Sequence, residues 1–278
     1  MKQTWLITGC SEGGIGAGIA RAVLRRGYNA VVTARDTAKV ESIVKDYPET
    51  ALAVKLDVTD PESIRAALEA AQARFGAIDV LVNNAGYCYR SSVEEADRSG
   101  VNRMYETNFF GPIALIQAVL PAMRERRSGA IVNVSSIGAV RTGAASGYYA
   151  STKAALELMS EGLAAEVNPL GIKVMIVEPG AFRTHFYDSS LKGADLTIGD
   201  YQETAWKRAP QNAVNQGKQP GDPEKAGDVI IDALETGNPP LRLLLGSDAV
   251  KIVKGALEAR MKELDAWTSY SVRTDFAE

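Results

Sequence analysis

Tyr149 and Lys153, four residues apart, are the side chains whose types and spacing best suit joint chemistry in this sequence. On an α-helix, residues four apart share a face. At roughly 100° per residue, Tyr149 and Lys153 differ by about 40° and Tyr148 and Lys153 by about 140°, so the spacing selects Tyr149. A free phenol titrates near roughly 10. A neighbouring ammonium favours the phenolate and draws that value toward neutral pH. Such a tyrosine can give a proton to a carbonyl oxygen as hydride reaches carbon, or take it back in reverse. Ser136, in the run Asn133-Val134-Ser135-Ser136-Ile137-Gly138, can hold that oxygen by a hydrogen bond. A Tyr–Lys pair alone recurs by chance on helix surfaces. It gains meaning from the serine and from a glycine loop near residue 10.

That loop reads Thr8-Gly9-Cys10-Ser11-Glu12-Gly13-Gly14-Ile15-Gly16. It follows an apolar run and opens a helical pattern. Glycine permits the sharp turn and the close approach of a diphosphate to peptide N–H groups, and the helix N-terminus adds partial positive charge. In this strand–turn–helix setting the loop reads as a dinucleotide site rather than a plain turn. The second strand ends in Val32-Thr33-Ala34-Arg35-Asp36. Ala34 offers no carboxylate to ribose hydroxyls, whereas Arg35 can grip a 2′-phosphate, so NADP(H) is preferred and NAD(H) is possible. In the alternative reading Arg35 is solvated and Asp36 turns inward. Glu12 also counts against NADP(H), because it would repel a nearby phosphate.

The elements that must hold these residues alternate. Short apolar runs at 5–8, 30–33, 51–56, 78–82, 130–134, 173–177 and 241–245 read as strands. Those at 130–134 and 173–177 have the continuous apolar character of buried parallel strands. Between the runs, helices are expected at 15–26, 61–75, 101–126, 149–168, 223–236 and 248–267. Strand then helix, repeated, implies right-handed βαβ units, a seven-stranded parallel sheet and helices on both faces. The expected architecture is one doubly wound α/β domain spanning 1–278, with an irregular insert at about 185–222 and a C-terminal helix at about 248–267.

Composition narrows the function. The chain has 278 residues, 46% hydrophobic and 23% charged, with a formal net charge of −3. A nucleic-acid binder would carry a basic excess. Two cysteines, Cys10 and Cys88, make no disulfide framework and suggest a reducing, cytoplasmic setting. No signal-peptide core, membrane span or anchor is expected. One histidine, His185, and two scattered cysteines cannot build a His/Cys metal cluster, and no metal is expected.

These motifs together resemble the short-chain dehydrogenase/reductase family over nearly the whole chain. The resemblance rests on the glycine loop, Asn83-Asn84-Ala85-Gly86, Asn108, Ser136, the Tyr149/Lys153 pair, and Pro179-Gly180 with Thr184, in the family's order and spacing. It implies a Rossmann fold and an NAD(P)-dependent oxidoreductase acting on CH–OH groups. Tyr149 would be the acid/base, Lys153 would lower its pKa and bond the nicotinamide ribose, and Ser136 would orient the carbonyl. Asn108 would help hold a water that relays protons to Lys153. The cofactor would lie against Gly9, Ser11, Gly14, Ile15, Gly16, Arg35, Asp57, Val58, Asn84, Ala85 and Gly86. Pro179, Gly180 and Thr184 would position the carboxamide. Four residues, Cys10 to Gly13, separate Thr-Gly from Gly-Ile-Gly where many members have three. That variant resembles hydroxysteroid dehydrogenase-like and acyl-dihydroxyacetone-phosphate reductase-like members. It leaves open whether Gly13 or Gly14 faces the diphosphate.

Substrate choice is expected in the insert, where His185, Phe186, Tyr187, Leu191, Leu196, Ile198, Tyr201 and Trp206 form either an apolar lid or a short packed segment. The favoured partner is a small-molecule carbonyl or alcohol substrate, a hydrophobic ketone or alcohol. His185 reads as structural rather than catalytic. The C-terminal helix covers the substrate end, meets another subunit or covers the sheet. The resemblance further implies a homo-oligomer, dimer or tetramer, paired through 101–126 and 149–168. Two rivals are a catalytically silent nucleotide-sensing regulator on this fold and a lipid-surface enzyme. The intact Asn108, Ser136, Tyr149 and Lys153 set argues against the first, and the acidic balance and missing anchor against the second.

Overall fold

A computed structural model describes residues 2–187, 191–195, 197–207 and 217–276. Leu196, expected in the lid, lies outside the described residues. The chain enters at β1 (Thr4–Ile7), then passes through α1 (Ile15–Arg25), β2 (Asn29–Ala34), a short α2 (Glu41–Val44) and β3 (Ala51–Lys55). It continues through α3 (Pro61–Phe75), β4 (Val80–Asn83), β5 (Cys88–Arg90), α4 (Arg98–Tyr105) and α5 (Gly111–Arg126). Then follow β6 (Gly129–Val134), α6 (Gly147–Val167), β7 (Ile172–Pro179), β8 (Leu191–Gly193), α7 (Pro223–Glu235), β9 (Arg242–Leu245) and α8 (Ser247–Ser271).

Seven of the strands form one parallel sheet in the order β3-β2-β1-β4-β6-β7-β9. The chain winds outward from β1 to β3, returns beside β1 at β4, and winds outward the other way. The loops after β1 and β4 therefore diverge and leave a crevice at the strand carboxyl ends. Both faces are apolar, which is why these strands read as unbroken hydrophobic runs. In β1, Trp5 and Ile7 enter the core beneath α1 and α7, while Leu6 enters the opposite core beneath α3, α5 and α6.

The helix expected at 101–126 is not one helix. It begins at Arg98, where the Asp97 carboxylate caps it by accepting from Ser99 N (3.2 Å) and Gly100 N (2.9 Å). It then widens into a π-turn at Glu106–Phe110 before α5 starts. Pro112 has no N–H to offer the carbonyl four residues earlier, that of Asn108, so a regular helix cannot continue there. The insert, expected to be irregular, carries a strand among its described residues: β8 pairs with β5 in a separate two-stranded parallel sheet. The sequence reading missed α2 and this small sheet. Helix α8 runs past the expected 267, with Ala249 and Val253 buried in its first turns and Leu257, Met261, Leu264 and Trp267 exposed. Among the described residues no helix is long and apolar enough to cross a membrane.

Candidate active site

A cleft of about 1090 Å³ opens over the carboxyl ends of the central strands, large enough for a dinucleotide together with a small substrate. Gly9, Ser11, Gly14, Ile15, Arg35, Asp57, Val58, Asn84, Ala85 and Gly86 all line it. So do Ser136, Tyr149, Lys153, Pro179, Gly180 and Thr184. Of the residues expected at the site, only Gly16 and Asn108 stand behind its wall.

The dinucleotide end is built by close approach. Gly9 holds φ +70°, and a Cβ there would lie 2.8 Å from Ala85 Cα. At Gly16 a Cβ would lie 2.6 Å from the Gly9 carbonyl oxygen and would also strike Asn84 Nδ2. Gly16 thus shapes the loop by packing. Gly14 caps α1 in extended backbone, with no side-chain cap and no acidic residue in the first turn. Gly14 N itself donates to the Ser11 carbonyl (3.2 Å), and the α1 N-terminus beyond it, with no side-chain cap, presents its partial positive charge to the cleft, which fits a diphosphate. Gly14 lines the cleft, whereas Gly13 packs under the His185 ring, where its Cβ would lie 2.7 Å from Cδ2. Thr8 ties the two diverging loops, its hydroxyl accepting from Asn84 N and Ala85 N at 2.9 Å each. The Asn84 amide returns hydrogen bonds to the carbonyls of Thr8 (2.9 Å) and Gly9 (3.0 Å).

At the end of β2, Arg35 is exposed on the cleft wall and Lys39 joins it there. Asp36 does not turn inward. Its carboxylate accepts from Ala38 N (3.1 Å) and caps the following turn. Glu12 is engaged by the Arg21 guanidinium, which offsets the charge that would oppose a phosphate. Asp57 accepts from the backbone and hydroxyl of Thr59, and these bonds, with the nearby Arg35 charge, hold its carboxyl below the ordinary range despite partial burial.

The chemistry end depends on α6. Lys153 is buried, and its Nζ donates to the Val134 carbonyl at the end of β6 (2.8 Å). Burial pushes its ammonium down to about 8, against the attraction of Glu157 one turn on. Glu157 is itself raised by burial while it accepts from Ser135 Oγ (2.6 Å). A buried chain fixes the helix register: Asn83 Nδ2 donates to Asn133 Oδ1 (2.8 Å), and Asn133 Nδ2 donates to Ser160 Oγ (2.7 Å). Tyr149 and Lys153 then share the cleft-facing side of α6 as their spacing predicts. Ser136 Oγ accepts from Gly138 N (3.0 Å), and a Cβ on Gly138 would touch both Ser136 Oγ (3.3 Å) and Tyr149 Cε1 (3.5 Å). Serine and tyrosine thus flank one small gap.

The Asn108 amide does not reach the cleft. It accepts from Tyr87 N (3.0 Å) and donates to the Tyr87 carbonyl (2.8 Å) and Thr152 Oγ1 (3.1 Å). Across the cleft the Phe186 ring meets Tyr149, centroids 5.9 Å apart. Asp248 at the start of α8 accepts from Ala181 N (2.8 Å) and fixes the turn after Gly180. Sequence reasoning missed Thr8, Lys39, Asp248 and Glu95. Glu95 accepts from Ser92 Oγ, Thr197 N, Ile198 N and Trp206 Nε1, which ties the insert to the segment after β5 and holds the carboxyl down at about 2. Asp97 and Asp36 had a readable signal as helix caps; the hold of Glu95 on the insert had none, because Thr197, Ile198 and Trp206 lie about a hundred residues on.

Fold, glycine loop and cleft together define a nucleotide-dependent oxidoreductase. The profile of the short chain dehydrogenase family matches residues 3–194. The chain is 35% identical to an oxidoreductase of Botryotinia fuckeliana over 98% of this chain and 99% of that protein. It superposes on a short-chain dehydrogenase from Streptomyces avermitilis with a TM-score of 0.90 and 43% identity, over 99% of this chain and 98% of the other. It also superposes on an alcohol dehydrogenase from Thermococcus sibiricus, complexed with 5-hydroxy-NADP, with a TM-score of 0.72 and 25% identity over 88% and 96%. The chain belongs to the short-chain dehydrogenase/reductase family and is an NAD(P)-dependent oxidoreductase acting on CH–OH groups. The silent-regulator alternative gains no support from these relatives.

The depressed Lys153 titration gives a test of the buried ammonium. The folded protein binds fewer protons than the unfolded chain between about 8 and the ordinary 10.5, so this group's contribution to stability rises with pH across that window and its full penalty applies below it. Lys153→Met removes the titration and leaves the Val134 carbonyl unpaired at every pH. Urea unfolding at several pH values should show wild type gaining stability on Lys153→Met from pH 8 to 10.5; a flat difference would mean that Lys153 titrates normally.

Proposed function

We propose that this protein is an NADP(H)-dependent carbonyl reductase or alcohol dehydrogenase for a hydrophobic ketone or secondary alcohol, with Tyr149 as acid/base. The observation that carries this reading is the joint lining of one cleft by Ser136, Tyr149 and Lys153 and, three strands away, by Arg35 and Lys39. The nicotinamide, when bound, supplies or accepts the hydride. Gly9, Gly14 and the α1 N-terminus bind the diphosphate, with Ser11, Ile15 and Ala85 beside it. Asp57, Val58, Asn84 and Gly86 line the adenosine side, and Pro179, Gly180 and Thr184 set the carboxamide. Ser136 holds the carbonyl oxygen. Tyr149 gives that oxygen its proton in reduction and takes it back in oxidation. Lys153, charged below about 8, stabilises the phenolate that remains. Asn108 acts by position, since its amide is committed to Tyr87 and Thr152. Phe186, Phe182 and Ile137 supply apolar wall, which favours a hydrophobic substrate and excludes water.

The preference for NADP(H) rests on Arg35 and Lys39 together, with Asp36 used as a cap and Glu12 matched by Arg21. The relative solved with 5-hydroxy-NADP is in keeping with it. Residues 1–278 act as one domain, in which 185–222 selects the substrate. The chains pair through residues 101–126 and 149–168, where Phe110 of the π-turn and Leu158 of α6 stand exposed.

Three outcomes follow. Tyr149→Phe keeps the ring and removes the proton, so turnover should fall by about three orders of magnitude or more with NADPH affinity nearly intact; near-normal kcat would reject Tyr149 as acid/base. Arg35→Ala should weaken NADPH by about 1.5–3 kcal/mol and leave NADH almost unchanged, read by fluorescence titration. Equal losses would make Arg35 structural. Light scattering should give a multiple of the 29.7 kDa chain mass; a single chain mass would exclude the pairing.

A further inference from the structure

The cleft is basic although the chain is acidic overall. Its acidic wall residues are Glu12, Asp57 and Glu106, and the first two are matched by Arg21 and Thr59. Its cations include Arg35 and Lys39 near the end of β2, and also Arg90 and Arg141. The last two have no task in the chemistry described above. Arg141 is exposed on the loop between Ser136 and Tyr149. Arg90 is the more telling residue.

Arg90 owes its place to strand alternation. In β5, Cys88 and Arg90 line the cleft, while Tyr89 turns away, packing its ring where Gly100 leaves room and accepting from Asp97 N (3.0 Å). Strand β5 leaves directly from Gly86, whose Cβ would lie 3.4 Å from Lys153 Nζ, and it is pinned on its other side by β8, where Ala194 N donates to the Arg90 carbonyl (3.0 Å). Arg90 therefore stands between the acid/base pair and the insert, on the side left to the substrate. Its Nε and Nη1 are shielded from solvent and have no hydrogen-bond partner. It forms no ion pair with a carboxylate among the described residues. Arg90 is half-buried, and its nearest side-chain partner is the weak acceptor Cys88 Sγ; two guanidinium donors held out of water with no oxygen acceptor are unfavourable unless something that enters the cleft matches them.

We propose that Arg90 is a specificity residue that receives an anionic oxygen group, a carboxylate or a phosphate ester, carried by the substrate away from its reacting carbon. With the apolar wall of Phe186 and Ile137 beside it, the site then takes amphipathic anions, an oxo acid or hydroxy acid on an alkyl chain rather than a wholly neutral ketone. This rests on the oxidoreductase reading above and adds to it the charge of the substrate.

The test separates the two. Calorimetric titration of the enzyme, with and without NADPH, would use straight-chain alkanoates from butanoate to decanoate, their methyl esters, and the matching alkyl phosphates. Wild type should bind at least one anionic series about tenfold or more tightly than the esters. The alkanoate and phosphate arms tell which anion fits. Arg90→Met should bring the ratio near one, and Arg90→Lys should keep part of it. If Arg90→Met does not fold, the wild-type ratio and Arg90→Lys still decide. No anion preference in wild type, or a preference that survives in Arg90→Met, overturns the proposal. In parallel, oxo-alkanoates such as 5-oxohexanoate and 7-oxooctanoate, and their methyl esters, would be assayed with NADPH. Turnover without preference for the acids rejects the Arg90 proposal alone. Anion binding without turnover of any carbonyl rejects the proposed reaction and leaves the Arg90 site standing.

Discussion

An ammonium held out of water is the constraint around which this site is arranged. On the proposed mechanism Lys153 must keep enough charge to act on Tyr149, yet burial works against that charge and brings its titration down to about 8. The Val134 carbonyl and the Glu157 carboxylate offset part of the penalty, one from the end of β6 and the other from the next turn of α6. Both offsets need α6 to sit against β6 in a single register. The Asn133–Ser160 bond enforces it: a one-residue slip of α6 would leave the buried Asn133 amide N–H without its acceptor. A sheet edge, a helix register and a titration are thus one arrangement.

The same economy organises the cofactor end. Diverging loops after β1 and β4 leave a crevice only if something keeps each from collapsing into it. Thr8 does this by satisfying Asn84 N and Ala85 N, and Asn84 by satisfying the carbonyls of Thr8 and Gly9. Once the loops satisfy one another, the first N–H groups of α1 are left for a ligand. Glycine at 9 and 16 follows from that closeness: a side chain at either position would strike the neighbouring loop.

Chemistry carried by local spacing was legible in the sequence. The Tyr149/Lys153 face, the glycine loop with its following helix, and seven strands read from apolar runs all follow from periods of 2 and 3.6 residues. Arg35 was legible from its position at a strand end. What escaped depends on distant partners or on backbone detail. Asn108 looks like a cleft residue in sequence, but the π-turn preceding Pro112 and its bonds to Tyr87 and Thr152 set its amide behind the wall. The choice between Gly13 and Gly14 needed the placement of His185. The pairing of β5 with β8 joins three-residue strands a hundred positions apart, too short for any periodic signal.

Glu95 shows how the insert is held without being made part of the core. The insert has few buried apolar side chains among its described residues, so hydrophobic burial supplies little of its anchoring. One carboxylate receives two backbone N–H groups and an indole N–H from it, and donors of this kind favour the ionised form, hence a titration near 2. An anchor of hydrogen bonds differs from one of packed side chains, because it fixes a point rather than a surface. The fixed point lies at 197–206 and the β5–β8 pairing fixes another at 191–193. Phe186, which faces Tyr149, lies before both. The segment that carries Phe186 is thus tethered from beyond, by bonds to the same 88–97 stretch that carries Arg90, so the groups proposed to select a substrate are positioned by one short piece of chain.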